Sequence, residues 1–144
     1  MMGKLGFDIN VKDLKENELK YCQEAVANYK RLSPVIWQGD MYRLVSPLLE
    51  TRAVVMYANA AKSKAVLFSY TLHPLYDPLY GPVRLQGLDP KKSYKVEEIN
   101  LMPGARKSLE ESGNSYTGDY LMNVGMRVSA SANETSVVIE ITEI

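Results

Sequence analysis

Carboxylates are the first residues in this chain to ask about, and those in question are Asp8, Asp40, Asp77, Glu97, Glu98 and Asp119. Two carboxylates at a set separation are the machinery for hydrolysing an acetal bond, one as acid and base, the other as nucleophile or base. Asp40 and Asp119 each follow a glycine at an expected strand start. A carboxylate there commonly accepts hydrogen bonds from backbone N–H groups of a turn, so both read as structural. His73 is the single histidine and Cys22 the single cysteine, which excludes a zinc ligand set and an internal disulfide. Any serine and any aspartate could be combined with that histidine, so no nucleophilic triad can be singled out. The glycines show no phosphate-cradling spacing. The residues alone assign no catalytic, cofactor-binding or metal-ligating position.

Aromatic rings are the other chemistry-bearing groups, because sugar-binding modules stack their ligands on exposed rings. The candidates are Trp37, Tyr76 and Tyr80, the last two in a repeated Pro-Leu-Tyr. Tyr76 and Tyr80 are the rings that would contact a sugar. Against that stands a structural reading, in which the tyrosines pin a long loop and Trp37 packs where a helix meets a β domain.

The elements that position these groups follow from periodicity. From Lys15 to Leu32 the residues Leu19, Cys22, Ala25, Val26, Tyr29 and Leu32 recur at steps of three and four, an amphipathic helix. Asp13 and Glu16 have the spacing of a capping box at its start, and Ser33-Pro34 is expected to end it. Before it, Leu5, Phe7 and Ile9 alternate like a short strand. Everything after Pro34 reads as strand and turn. Met41–Ser46 is one strand; Val54–Ala58 and Ala65–Leu72 are a hairpin closed by Asn59–Lys64. In the second arm Val66, Phe68, Tyr70 and Leu72 share a face, the period of a strand packed mainly on one side.

His73–Pro82, with three prolines and a glycine, is a loop. Val83–Gln86, Ser93–Leu101, Gly118–Met126 and Val137–Thr142 are further strands, with an irregularity expected at Glu97-Glu98 and a turn tip at Asn133-Glu134. The expected fold is mainly β, an antiparallel β-sandwich preceded by one α-helix.

Composition sets outer limits. The 144 residues suffice for one domain with a real core. Seventeen basic and seventeen acidic residues cancel, which leaves no surplus for neutralising phosphates and argues against a nucleic-acid partner. No stretch could span a bilayer, and Met1–Asn10 lacks the apolar core of a signal peptide, so no membrane role is expected and no compartment is assigned.

The segments G-D-M-Y-R-L-V-S-P (39–47), L-Q-G-L-D-P-K-K-S-Y-K-V (85–96) and G-D-Y-L-M-N-V-G (118–125) resemble the C-terminal region of α-galactosidases of glycoside hydrolase family 36. G-F-D-I-N-V-K-D-L (6–14) is similar to the last strand-to-helix step of that family's (β/α)8 barrel. The resemblance implies that residues 1–34 are a remnant of the last barrel strand and helix, and 35–144 a C-terminal antiparallel β-sandwich domain. It implies a parent enzyme that releases terminal α-linked galactose with retention, through two aspartates on earlier barrel strands that match no position here. The partners implied are that barrel and, through it, a galactoside; no cofactor is implied. Asp8 alone would sit near the end of a barrel strand that faces substrate. Without the barrel, part of the helix's apolar stripe needs another partner, which either the sandwich or a second copy of the chain, in a homo-oligomer, would supply. The alternative function is a carbohydrate-binding β-sandwich module.

Overall fold

The computed structural model describes residues 1–73, 80–128 and 135–144. Tyr76, Asp77 and the Asn133-Glu134 tip lie outside the described residues. Among the described residues six strands form one antiparallel sheet: β1 (Asp40–Val45), β2 (Arg52–Ala58), β3 (Lys64–Thr71), β4 (Ser93–Ile99), β5 (Ser115–Thr117) and β6 (Ser136–Glu143). Their order across the sheet is β1-β2-β3-β6-β4-β5. The long helix α1 (Glu16–Gln38) precedes them, and a short helix α2 (Gly118–Asn123) separates β5 from β6.

The β2–β3 hairpin forms as the alternation and turn residues dictate, pairing Ala58 with Ala65 and Arg52 with Thr71. Asn59 closes it. Its side-chain oxygen accepts from the backbone N–H of Ser63 at 2.9 Å and of Lys64 at 3.0 Å. Its own N–H donates to the Lys64 carbonyl at 2.9 Å. Lys62 takes the left-handed conformation that the loop needs.

β3 is covered on both sides, not mainly on one. Ala65, Val66, Leu67, Phe68 and Ser69 are all buried. The period of two had sorted the side chains correctly, but it reports the face on which a side chain sits, not whether that face is covered. On one side Val66 and Phe68 pack with Leu32, Val35 and Ile36 of α1. On the other, Ala65 and Leu67 join Val54, Met56, Tyr94, Val96, Ile139 and Ile141 under a layer made by Val83, Leu85, Leu88, Leu121 and Met126. In that layer the expected strand Val83–Gln86 reduces to a single bridge, Val83 to Met126.

α1 runs through Pro34 to Gln38 instead of stopping at Ser33. Proline removes one helical donor and leaves the Lys30 carbonyl without its partner. The Ser33 hydroxyl donates to that carbonyl at 2.9 Å, and burial of Val35 and Ile36 on the sheet rewards the extra turn. The capping box also shifts. Lys15 is the N-cap and its N–H donates to the Glu18 carboxylate at 2.8 Å. Asp13 is instead the last residue of a 3-10 turn, Val11–Asp13.

Three further expectations change. Residues 1–10 contain no strand, and Phe7 and Ile9 stay exposed. Gly118–Met126 is not a strand, because Thr117 caps a helix by accepting from Tyr120 N–H at 3.2 Å. A short helix also turns Leu121 into the core, where it is fully buried. β4 pairs with β6 without interruption at Glu97-Glu98. The irregularity of the sheet lies in β1, between Arg43 and Val45.

Candidate functional site

Neighbouring residues of a strand face opposite ways, and this separates Glu97 from Glu98. Glu98 turns to the side shared by Tyr94 and Val96 and is buried. Its carboxylate accepts from Ser108 N–H at 2.7 Å, the Ser108 hydroxyl at 2.9 Å and Leu109 N–H at 2.8 Å. Such a carboxylate is a fastener for the 100–112 segment.

Glu97 lies on the α1 side, and its partner across the β4–β6 ladder is Glu140. Two carboxylates therefore do face each other, at the spacing of directly opposed residues. Cations surround them. Arg31 of α1 and Lys64 of β3 both bind Glu140, the lysine at 3.4 Å. Lys95 and Lys107 approach Glu97 at 3.0 and 3.9 Å. Burial pushes the Glu140 carboxyl upward, but the hydrogen bond and charge of Arg31, with Lys64 beside them, outweigh it and hold the carboxyl below the usual glutamate range. Catalytic acids need the opposite shift. The pair ties α1 to the sheet.

A pH dependence follows from the sign of that shift. A folded-state value below the unfolded one adds stability that is present above the ordinary glutamate pKa and lost as pH falls through the folded value. Glu140→Gln is expected to be less stable than the parent at pH 7. The gap should close progressively below the ordinary glutamate range, as measured by urea unfolding across pH. A gap that stays constant down to pH 2 would remove Glu140 as its source.

Of the ring candidates, Tyr80 is described and is engaged. Its hydroxyl hydrogen-bonds Thr51 Oγ1, and the Arg52 guanidinium lies over its ring, 4.3 Å from the centroid. Arg52 is itself buried. It donates to the Val128 carbonyl at 2.8 Å, the Gly81 carbonyl at 3.0 Å and the Glu50 carboxylate at 2.8 Å. This node joins the β1–β2 turn, the start of β2 and the segments at Tyr80 and Val128. Periodicity gave no sign of it; an arginine opening a buried strand was the available signal.

Trp37 does not pack at the junction; it is 58% exposed. Asp119 binds the Asn123 side chain at 2.8 Å within α2, while Asp8 and Asp40 are exposed. His73 is exposed, and its N–H donates to the Thr51 carbonyl at 3.2 Å. Among the described residues no cluster of His, Cys, Asp and Glu could hold a metal ion, and no helix is long and apolar enough to cross a membrane.

Comparison with known proteins adds the family context. The model of the glycosyl hydrolase family 36 C-terminal domain matches residues 52–141. A probable α-galactosidase C of Aspergillus oryzae is 30% identical over 139 residues, which cover 96% of this chain and 17% of that protein. α-Galactosidase 1 of Pediococcus pentosaceus is 29% identical over 123 residues, 85% of this chain and 15% of that one. Among solved structures, the family 36 α-galactosidase AgaB of Geobacillus stearothermophilus superposes with a TM-score of 0.71 at 26% identity, covering 93% of this chain and 17% of that one. The chain thus spans about one-sixth of the length of the relatives it matches.

Proposed function

This chain belongs to the glycosyl hydrolase family 36 C-terminal domain family, and from that membership we propose that it is the supporting, non-catalytic β domain of an α-galactosidase. In this reading the whole enzyme hydrolyses terminal α-linked galactose on a (β/α)8 barrel, and the domain stabilises that barrel by burying apolar surface that neither part hides alone. One observation carries the reading. Nearly all of this chain aligns with α-galactosidases, yet it accounts for only 17% of their length. The chemistry within the chain agrees, since Glu97, Glu98 and Glu140 are engaged by cations or backbone donors.

Residues 1–34 are proposed as the portion that continues into the barrel. α1 fits this role because it carries more apolar surface than the sheet covers: Leu19 is exposed while Leu32 is buried. The same flank is where two copies of the isolated chain would meet. A carbohydrate-binding module is less well supported, because the Tyr80 ring is held by Arg52.

The purified 144-residue chain is expected to give no turnover of p-nitrophenyl α-galactoside above a buffer blank. Turnover abolished by a single Asp or Glu substitution in this chain would overturn the proposal.

A further inference from the structure

Leu48 and Leu49 are 92% and 87% exposed, the most exposed of the large apolar side chains among the described residues. They sit at the tip of the β1–β2 turn, and the tip is built. Ser46 organises it, its hydroxyl accepting from Leu48 N–H at 3.3 Å and its carbonyl from Leu49 and Glu50 N–H at 3.1 and 3.2 Å. Glu50 is clamped by buried Arg52. A turn held this firmly does not fold its leucines back onto the domain, so they forgo the stabilisation of burial.

The pairing register shows what lies beside them. Val45, Arg52, Thr71, Ser136 and Ile99 end their strands at one pole of the sheet. Leu72, half exposed, is hydrogen-bonded to Thr51 at this pole at 2.9 Å. The start of the chain is here too, since Met1, Leu5 and Phe7 border a groove with Leu101, Met102 and Thr135. Phe7 and Met102 are each 40% exposed. Trp37, Met41 and Ile144 are exposed as well, but they lie toward the other pole, where Asp40 pairs with Ala58 and Ile144 bonds Ser93.

We propose that the Leu48-Leu49 tip is an anchor by which this domain docks onto the catalytic portion of its enzyme. The proposal rests on the supporting role given above and adds the surface that performs it. The occupant follows from two facts. Relatives carry some five-sixths of their length outside the matched region, and the matched family is by description a C-terminal domain, so that length precedes it. This chain's first residues lie at the pole of the leucine tip. Leu48, Leu49 and Leu72 are exposed apolar side chains at that same pole. Paired leucines on a turn held by hydrogen bonds suit an apolar pocket, where taking both side chains out of water stabilises the contact.

The test is a chimera of the Geobacillus stearothermophilus enzyme AgaB in which this chain replaces the matched region. It is made as the parent, as the double variant L48N/L49N and as W37Q. The readout is the rate at which α-galactosidase activity is lost at one elevated temperature. Melting and sedimentation of the isolated chains run alongside. L48N/L49N is expected to speed inactivation of the chimera roughly a hundredfold or more, the scale of losing two buried leucines. Its isolated chain should melt like the parent's, and W37Q should leave the chimera unchanged. Equal inactivation of L48N/L49N and parent chimeras would overturn the anchor and leave the supporting role standing. An isolated chain that dimerises through the leucines, and is made monomeric by L48N/L49N, would give the tip to a second copy and also overturn it. A parent chimera no more stable than AgaB lacking the matched region would remove the supporting role, and the anchor with it.

Discussion

Arg52→Ala is expected to lower the stability of this domain by about 3 kcal/mol, since hydrogen bonds from a charged donor contribute about 1.5–3 kcal/mol each. Arg52 is buried and serves three acceptors, two of them carbonyls of Gly81 and Val128 that belong to remote segments. The guanidinium suits this because its planar fork can satisfy diverging acceptors at once. Alanine leaves those carbonyls without the donor, frees Glu50 and removes the cation from the face of Tyr80. In a domain of this size the loss corresponds to a fall in melting temperature of roughly 10 °C. Arg52→Lys should recover only part of it, because an ammonium is a point donor that cannot span the same set. Tyr80→Phe should cost no more than about 1 kcal/mol, the contribution of one ordinary hydrogen bond. Circular-dichroism melts of the three variants decide the matter. An Arg52→Ala melt within 2 °C of the parent would mean that the node does not hold these segments.

Leu32→Ala should cost a comparable amount, about 2–5 kcal/mol for a fully buried leucine. Leu32 has no exposed surface and meets Val66 and Phe68 across the α1–sheet contact. The deletion removes the middle of the seam that Val35, Ile36 and the Arg31–Glu140 ion pair continue. Leu19→Ala is the matched control: the residue type and the helix are the same, but Leu19 is 36% exposed and its loss should cost less than about 1 kcal/mol. Hydrogen exchange adds a spatial reading. In Leu32→Ala the amides of α1 should exchange faster while those of β3 and β6 remain the slowest, since local opening follows local packing. Equal destabilisation by the two substitutions would contradict the arrangement of α1 on the sheet.

That pair of leucines shows how far the sequence could be read. Leu19 and Leu32 belong to one apolar stripe at helical spacing, and nothing in the stripe ranks them. The sheet covers only part of the arc, so one is core and the other surface. Pro34 is a similar case. A proline is a sound local reason to end a helix, and it was overruled by Ser33 taking up the orphaned carbonyl and by Val35 and Ile36 finding the sheet. At Gly118–Asn123 the apolar alternation pointed to a strand, while the Thr117 cap and the burial of Leu121 favoured a helix. The candidate carboxylates divided in the same way. Glu97 and Glu98 were visible as adjacent acids, but their roles came from Lys107, Ser108 and Leu109, residues placed beside them by the return of the chain.

Residue types and their spacing were enough for the antiparallel, mainly β fold behind one helix, the β2–β3 hairpin closed across residues 59–64, and the kinship with the C-terminal domains of family 36. These rest on period, turn chemistry and motif order, all of which act over a few residues. Long-range packing settled the rest: both faces of β3 are covered, α1 continues past Pro34, Arg52 and Tyr80 form a structural node, and two leucines are held out at one pole. The physical reason is common to all four. Local sequence fixes the direction in which a side chain points, while the free energy of pointing there depends on which distant segment, if any, arrives to meet it.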